Sequence, residues 1–223
     1  MKNARLGILM LDTRFPRILG DVGNPASFDF PVRYHVVPGA TPEAIVLSDP
    51  RPWTEAFIAA GRALVDQGCT GLATTCGFLT LARDEVQAAC GVPVASSALE
   101  EVPRIAAVLP PGQVPGIITI SQASLSPAHL AAARVAAGTP VIGVDRGSFA
   151  RSILSDAETL DVPAARREMI EAARQLCADH PEVGAIVLEC TNMPPHADAV
   201  ADATGRPVHS ILTYLNRFHA ELT

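Results

Sequence analysis

Laid on itself at an offset of 114 residues, the chain matches Cys76 to Cys190, Asp84 to Asp198 and Val86 to Val200. The segments GVPVAS (91–96) and GRPVHS (205–210) then stand at the same distance beyond each cysteine. Nearer the start of each half the offset is 109: Gly7 meets Gly116, Pro31 meets Pro140 and Val32 meets Val141. A shared order of matches with one five-residue difference reads as a duplicated unit. A duplication narrows the choice of folds sharply, because whatever one half forms the other must form again.

Each half alternates short apolar runs with alanine-rich helical ones. Strands are expected at 6–12, 32–37, 71–75, 92–96, 116–121, 141–145, 185–189 and 207–211, and helices near 53–67, 80–90, 98–108, 127–137, 163–179, 194–204 and 211–221. Strands alternating with helices predict βαβ units and parallel sheets. The strand runs are continuously apolar, as expected when helices cover both faces of a sheet. The prolines and glycine of LPPGQVP (109–115) read as the link between halves. The fold class is therefore α/β, two pseudo-symmetric lobes each built on a parallel sheet. Ligands of such sheets bind beyond the carboxyl ends of the strands. LATTCGF (72–78) and IVLECTN (186–192) put Cys76 and Cys190 at those ends, on opposite walls of one cleft.

Composition excludes several classes of function. Hydrophobic residues make up 48% of the 223 residues, enough for a substantial core. The net charge of −6 and the lack of a basic block argue against nucleic acid or an anionic membrane as partner. The first apolar run is broken by Asp12, too soon for a secretory core, so a cytoplasmic protein is expected. Five cysteines, none in C-x-x-C spacing, suggest neither a disulfide scaffold nor a structural zinc site. Lys2 is the single lysine, which leaves a pyridoxal phosphate enzyme without its Schiff-base residue and a P-loop without its phosphate ligand. No cofactor or metal is expected.

Two thiols facing one crevice suit a particular chemistry. A stereocentre with a weakly acidic C–H inverts when one group removes its proton and another returns one to the opposite face. A thiol serves when its pKa, near 8.5, is lowered by a positive neighbour or a helix N-terminus. Helices expected to begin near 79 and 194 would supply such termini. A lone buried cysteine is usually a small hydrophobe, and Cys69, Cys90 and Cys177 read that way. Cys76 and Cys190, matched in position and each beside threonine, read as catalytic.

The arrangement resembles the aspartate/glutamate racemase superfamily of cofactor-independent racemases over nearly the whole chain, on TTCGF (74–78) and ECTNMPP (189–195). The resemblance implies Cys76 and Cys190 as the proton carriers. It implies Thr191 at a carboxylate-binding position and Asp12 as the polar residue ending the first strand. It also implies lobes of 1–97 plus 211–223, and 98–210. Thr75, Gly77, Phe78 and Asn192 flank the cysteines and are expected to touch substrate. Gly77 stands where glutamate and aspartate racemases usually have asparagine, and Asn192 where glutamate racemases commonly have histidine. Both departures speak against free glutamate as substrate.

Other candidates come from the loops around the cleft. Ser121, the counterpart of Asp12, and Ser124 are donors that suit a carboxylate, although a serine here also suits helix capping. Arg14 and Arg17 follow the first strand and suit an acidic group, and Asn24 falls in a loop near the cleft mouth. His196 reads as a surface or capping residue. The expected function is inversion of the α-carbon of a small carboxylate, such as an amino acid or a cyclic derivative. Rival readings are hydantoin or allantoin racemisation, a one-cysteine decarboxylase or cis–trans isomerase, and a two-lobed binding protein for small acids. A homodimer is open to the chain, the sequence itself setting no oligomeric state.

Overall fold

The computed structural model describes residues 5–222; Lys2 lies outside them. In chain order the strands are β1 Leu6–Leu11, β2 Val32–Val37, β3 Gly71–Thr74, β4 Val94–Ala95, β5 Val114–Thr119, β6 Val141–Gly143, β7 Val183–Leu188 and β8 Val208–Ser210. The α-helices are α1 Pro42–Val46, α2 Thr54–Asp66, α3 Arg83–Cys90, α4 Val102–Val108, α5 Pro127–Ala132, α6 Ser148–Leu154, α7 Val162–Asp179, α8 Ala197–Thr204 and α9 Ile211–Glu221. The strands form two four-stranded sheets ordered β2-β1-β3-β4 and β6-β5-β7-β8, all neighbours parallel. One connectivity is thus used twice, as the repeat predicts.

The central strands β3 and β7 are buried at every position. Their apolar residues point to both faces because helices cover both. The edge strand β2, VRYHVV, carries its polar residues where cover is incomplete. Local signals end the helices at matched points. Gly91 (φ 70°) closes α3 and Gly205 (φ 65°) closes α8, each in the left-handed conformation that glycine adopts without steric cost. Each then leads into the outer strand of its sheet. Asp161 caps α7 by accepting from the Ala164 amide, 2.9 Å away. Ser97 and Glu100 form a reciprocal capping box just after β4.

All eight strands lie where the sequence places them. Two helices do not appear in the sequence reading: α1, of five residues, and α6, of seven. Both are shorter than the window in which an amphipathic period can be recognised. They matter, because Pro42 and Val46 of α1 and Ile153 of α6 close over the carboxyl ends of the two sheets. The expected helix over 80–90 begins instead as a 3₁₀ segment over Gly77–Leu81, directly after Cys76. Among the described residues no helix is long and apolar enough to cross a membrane.

Candidate active site

Strands β3 and β7 deliver their ends to one small cavity. Cys76 and Cys190 both line it, with Thr75, Gly77, Phe78, Glu189, Thr191 and Asn192, and apolar walls from Leu11, Phe15, Ile120 and Ile153. Its volume is about 20 Å³, room for roughly one water molecule. A small carboxylate is larger than this space as the walls stand. A larger open groove of about 810 Å³ lies beside Asp145 and Glu168. Those carboxylates are engaged in capping: Asp145 accepts from the amides of Gln122 and Ala123, and Glu168 from those of Ser148 and Phe149. It contains no cysteine, whereas the smaller cavity holds two.

The two lobes meet through the residues beside the thiols. Thr191 Oγ1 donates to the Thr75 carbonyl at 2.6 Å, joining the two cysteine turns directly. Thr75 Oγ1 accepts from the Leu11 amide at 3.0 Å, which ties the first turn to β1. Asn192 Nδ2 donates to Asp21 Oδ2 at 2.5 Å. Asp21 in turn pairs with Arg17, Nη1 to Oδ1 at 3.0 Å, and Arg17 lies over the Phe15 ring. A carboxylate only accepts, so Asp21 fixes the Asn192 amide with Oδ1 turned toward Cys190. The Cys190 thiol donates to that oxygen at 3.5 Å.

Electrostatically the cavity favours neutral thiols. Burial, and then the charge of Glu189, push Cys76 up to about 12. The same two causes push Cys190 well above the ordinary thiol value. The backbone amides of Phe78 and Leu79 act on Cys76 in the opposite direction, and that of Asn192 on Cys190. These donors are the ones expected from helices beginning after each cysteine. The segments that follow are only short 3₁₀ turns, however, and desolvation outweighs them. The expected lowering of the thiol pKa is therefore reversed in this cavity.

Glu189 is fully buried. Its Oε2 accepts from Thr119 Oγ1 at 2.9 Å, while Oε1 finds no protein partner. Burial pushes its carboxyl up to about 7. It fits only because residue 77 is glycine: a Cβ there would lie 2.2 Å from Oε1 and 3.0 Å from the Glu189 carbonyl oxygen. Gly77, a departure from the racemase pattern in sequence, is the counterpart of this carboxyl in space.

Residues 37–213 match the family model described as Asp/Glu/Hydantoin racemase, well over half of the chain. The chain belongs to the Asp/Glu/Hydantoin racemase family. It is similar to a dimethylsulfoniopropionate lyase of Durusdinium sp. clade D, 29% identical across 98% of this chain and 75% of that protein. Among solved structures it resembles unliganded arylmalonate decarboxylase (TM-score 0.63, 13% identity, 97% of this chain and 91% of that one). It also resembles a glutamate racemase from Francisella tularensis in complex with D-glutamate (TM-score 0.55, 15% identity, 99% and 82%). These two share the two-lobed fold, and the proteins that the chain resembles are named for different reactions.

Within that family fold, the structure brings Thr75, Cys76, Gly77, Phe78, Cys190, Thr191 and Asn192 to the cavity wall. Five loop candidates lie off it. Asp12 is exposed, and its Oδ2 accepts from the Gly39 amide at 2.9 Å, capping a turn. Asn24 caps the 3₁₀ segment Pro25–Ser27 and donates to the Arg17 carbonyl. Ser121 and Ser124 hydrogen-bond each other behind Ile120. Arg14 pairs with Asp156 and Glu158 at the surface. Arg17, expected to meet an acidic group, does so within the protein, at Asp21. His196 is not on the surface: it stands at the N-cap position of α8 without a side-chain capping bond, 1% exposed and edge-on to Phe149, and burial lowers its imidazole to about 4. Sequence reasoning passed over Asp21 and Glu189. Asp21 carries no local signal, but a glutamate closing the run IVLE is out of place in a fully buried strand end.

Arg14 and Phe15 share a clasp with Asp156. Asp156 Oδ1 accepts from the backbone amides of Arg14 (2.6 Å) and Phe15 (3.3 Å), fixing Phe15 as a wall. Asp156→Ala is expected to lower stability by about 1 kcal/mol, the net worth of such hydrogen bonds. KM should rise several-fold with a smaller change in kcat, because the wall becomes loose while the thiols stay in place. Urea denaturation and steady-state kinetics check both.

Proposed function

We propose that this enzyme removes the proton α to a small substrate's carboxylate, with Cys76 and Cys190 as proton carriers, and that the outcome is β-elimination from a sulfoniopropionate. The observation that carries this reading is a pair of thiols in one cavity whose wall holds no cationic side chain. Burial keeps these thiols neutral even with Arg17 beyond the Phe15 ring, and a cationic substrate would bring a charge into the cavity itself. An opposite charge within about 4–6 Å favours the thiolate by roughly 1–3 pKa units. Phe15, with Arg17 over one face of its ring, and Phe78 line the cavity, and an aromatic face against a sulfonium is worth about 0.5–2 kcal/mol. The amides of the two cysteine turns suit the substrate carboxylate and the charge that develops on it. Similarity to a dimethylsulfoniopropionate lyase along nearly the whole chain supports the same choice.

The step balances simply. The Cα–H bond breaks and the proton passes to a cysteine sulfur. The electron pair forms the Cα–Cβ double bond, and the Cβ–S bond breaks with its pair going to sulfur. Acrylate and a neutral dialkyl sulfide leave, and the proton is later lost to solvent.

Inversion of an α-carbon is the second reading, favoured by the matched positions of the two cysteines. Decarboxylation and simple binding keep the same cleft but need only one thiol or none. The deciding experiment offers the enzyme dimethylsulfoniopropionate, with headspace detection of dimethyl sulfide. In parallel, chiral amino acids and hydantoins in deuterated water are scored for α-deuterium. Equimolar sulfide and acrylate are expected. Deuterated amino acid or hydantoin without sulfide would replace elimination by racemisation, and silence in both arms would leave a binding protein.

A further inference from the structure

Resting on that reading, one buried group of the cavity has no part in the scheme so far. Glu189 ends β7, immediately before Cys190, and is fully buried. One carboxylate oxygen is anchored by Thr119, and the other is unpartnered in the cavity beside the Gly77 turn. A side chain at residue 77 would lie 2.2 Å from Oε1, and Gly77 and Glu189 line the same cavity as the two cysteines. Burying an unpaired carboxylate is costly, and a group kept in that state at a reaction centre is a candidate for proton transfer.

We infer that Glu189 is the acid–base partner of the cysteine pair: as a thiol sulfur takes the substrate's α-proton, the thiol's own proton passes to Glu189 Oε1. One S–H bond forms from the Cα–H, the original S–H breaks and one O–H forms. The cavity's single negative charge leaves the carboxylate as the carbon acid gives up its electron pair. No free thiolate is needed, which removes the difficulty of two thiols held neutral by burial. Glu189, at about 7, has the strength a base needs near neutral pH. The titratable groups around it are Cys76 and Cys190. Asp21, with its partner Arg17, stands beyond Asn192, and Glu100 caps the Ser97 turn behind Gly77.

The test is Glu189→Gln, which keeps the shape and removes the proton acceptor. Turnover should fall by at least 100-fold with KM within about three-fold. A carboxylate must be ionised to accept, so wild-type kcat/KM should fall as pH drops through about 7, and the variant should lose that limb. A readout without substrate separates this inference from the choice of reaction. Iodoacetamide labelling of Cys76 and Cys190, followed by peptide mass spectrometry, should level off above pH 7 in the wild type, where carboxylate and thiols share one charge. In Glu189→Gln it should keep rising about ten-fold per pH unit. That contrast supports the pairing even if no sulfonium substrate reacts. Coincident labelling profiles, or a variant with wild-type kcat and pH limb, would overturn it.

Discussion

Replacing either Cys76 or Cys190 with serine is expected to lower turnover sharply, by about 10²–10⁴-fold for whichever residue takes the α-proton, the range for a positioned acid–base group. A serine hydroxyl is far less acidic than a thiol and a poorer carrier of a proton to and from carbon. The fold should hold, since both sites are filled by a side chain of nearly the same shape and Asn192 Oδ1 still accepts from residue 190. The pattern across the pair is diagnostic. Elimination needs a proton removed but none returned to carbon, so one variant should lose nearly all activity and the other should keep a measurable fraction. Inversion needs both, so both variants should lose it, with α-deuterium still entering one enantiomer in each. Equal, wild-type activity in both variants would remove the thiols from the mechanism altogether.

Gly77→Ala is expected to be the most damaging methyl group that can be added to this molecule's site. The new Cβ would meet Glu189 Oε1 at 2.2 Å, Ser97 Oγ at 2.9 Å and the Glu189 carbonyl oxygen at 3.0 Å. The carboxyl end must shift to clear the methyl group, and the carbonyl cannot move without disturbing β7. Overpacking of this kind costs about 1–3 kcal/mol, seen as a lower urea midpoint at unchanged slope. Activity should fall as well, because a displaced Glu189 no longer reaches the thiols. A double-mutant cycle gives the stricter measurement. In a Glu189→Ala background the same Gly77→Ala change should cost clearly less, since part of the collision is gone. An identical cost in both backgrounds would show that the glycine serves only its own turn.

The architecture was largely legible in the chain. Its strands are uninterrupted apolar runs with glycine and proline between them, and that pattern survives any tertiary context because both sheet faces must be covered. The repeat was legible for the same reason: Gly91 and Gly205 end equivalent helices, and Cys76 and Cys190 end equivalent strands. Seven of the expected site residues, both cysteines among them, lie on the cavity wall because neighbours of a strand end in sequence remain its neighbours in space. The loop candidates Asp12, Asn24, Ser121, Ser124 and Arg14 lie off the cavity wall, in segments where sequence carries least information. A polar side chain in a loop is satisfied by whichever amide or carboxylate the fold brings near, as Gly39 is brought to Asp12 and Asp156 to Arg14.

What the sequence by itself determined, then, is a duplicated α/β chain with a thiol at the end of two equivalent strands. The tertiary structure alone decided how those thiols behave. It closed α1 and α6 over them, set Glu189 against Gly77 from the opposite lobe, and oriented Asn192 through Asp21 and Arg17. Periodicity and strand-end position are properties of neighbouring residues. Desolvation and charge coupling depend on distances between residues far apart in the chain, and those come into being only when the lobes pack together.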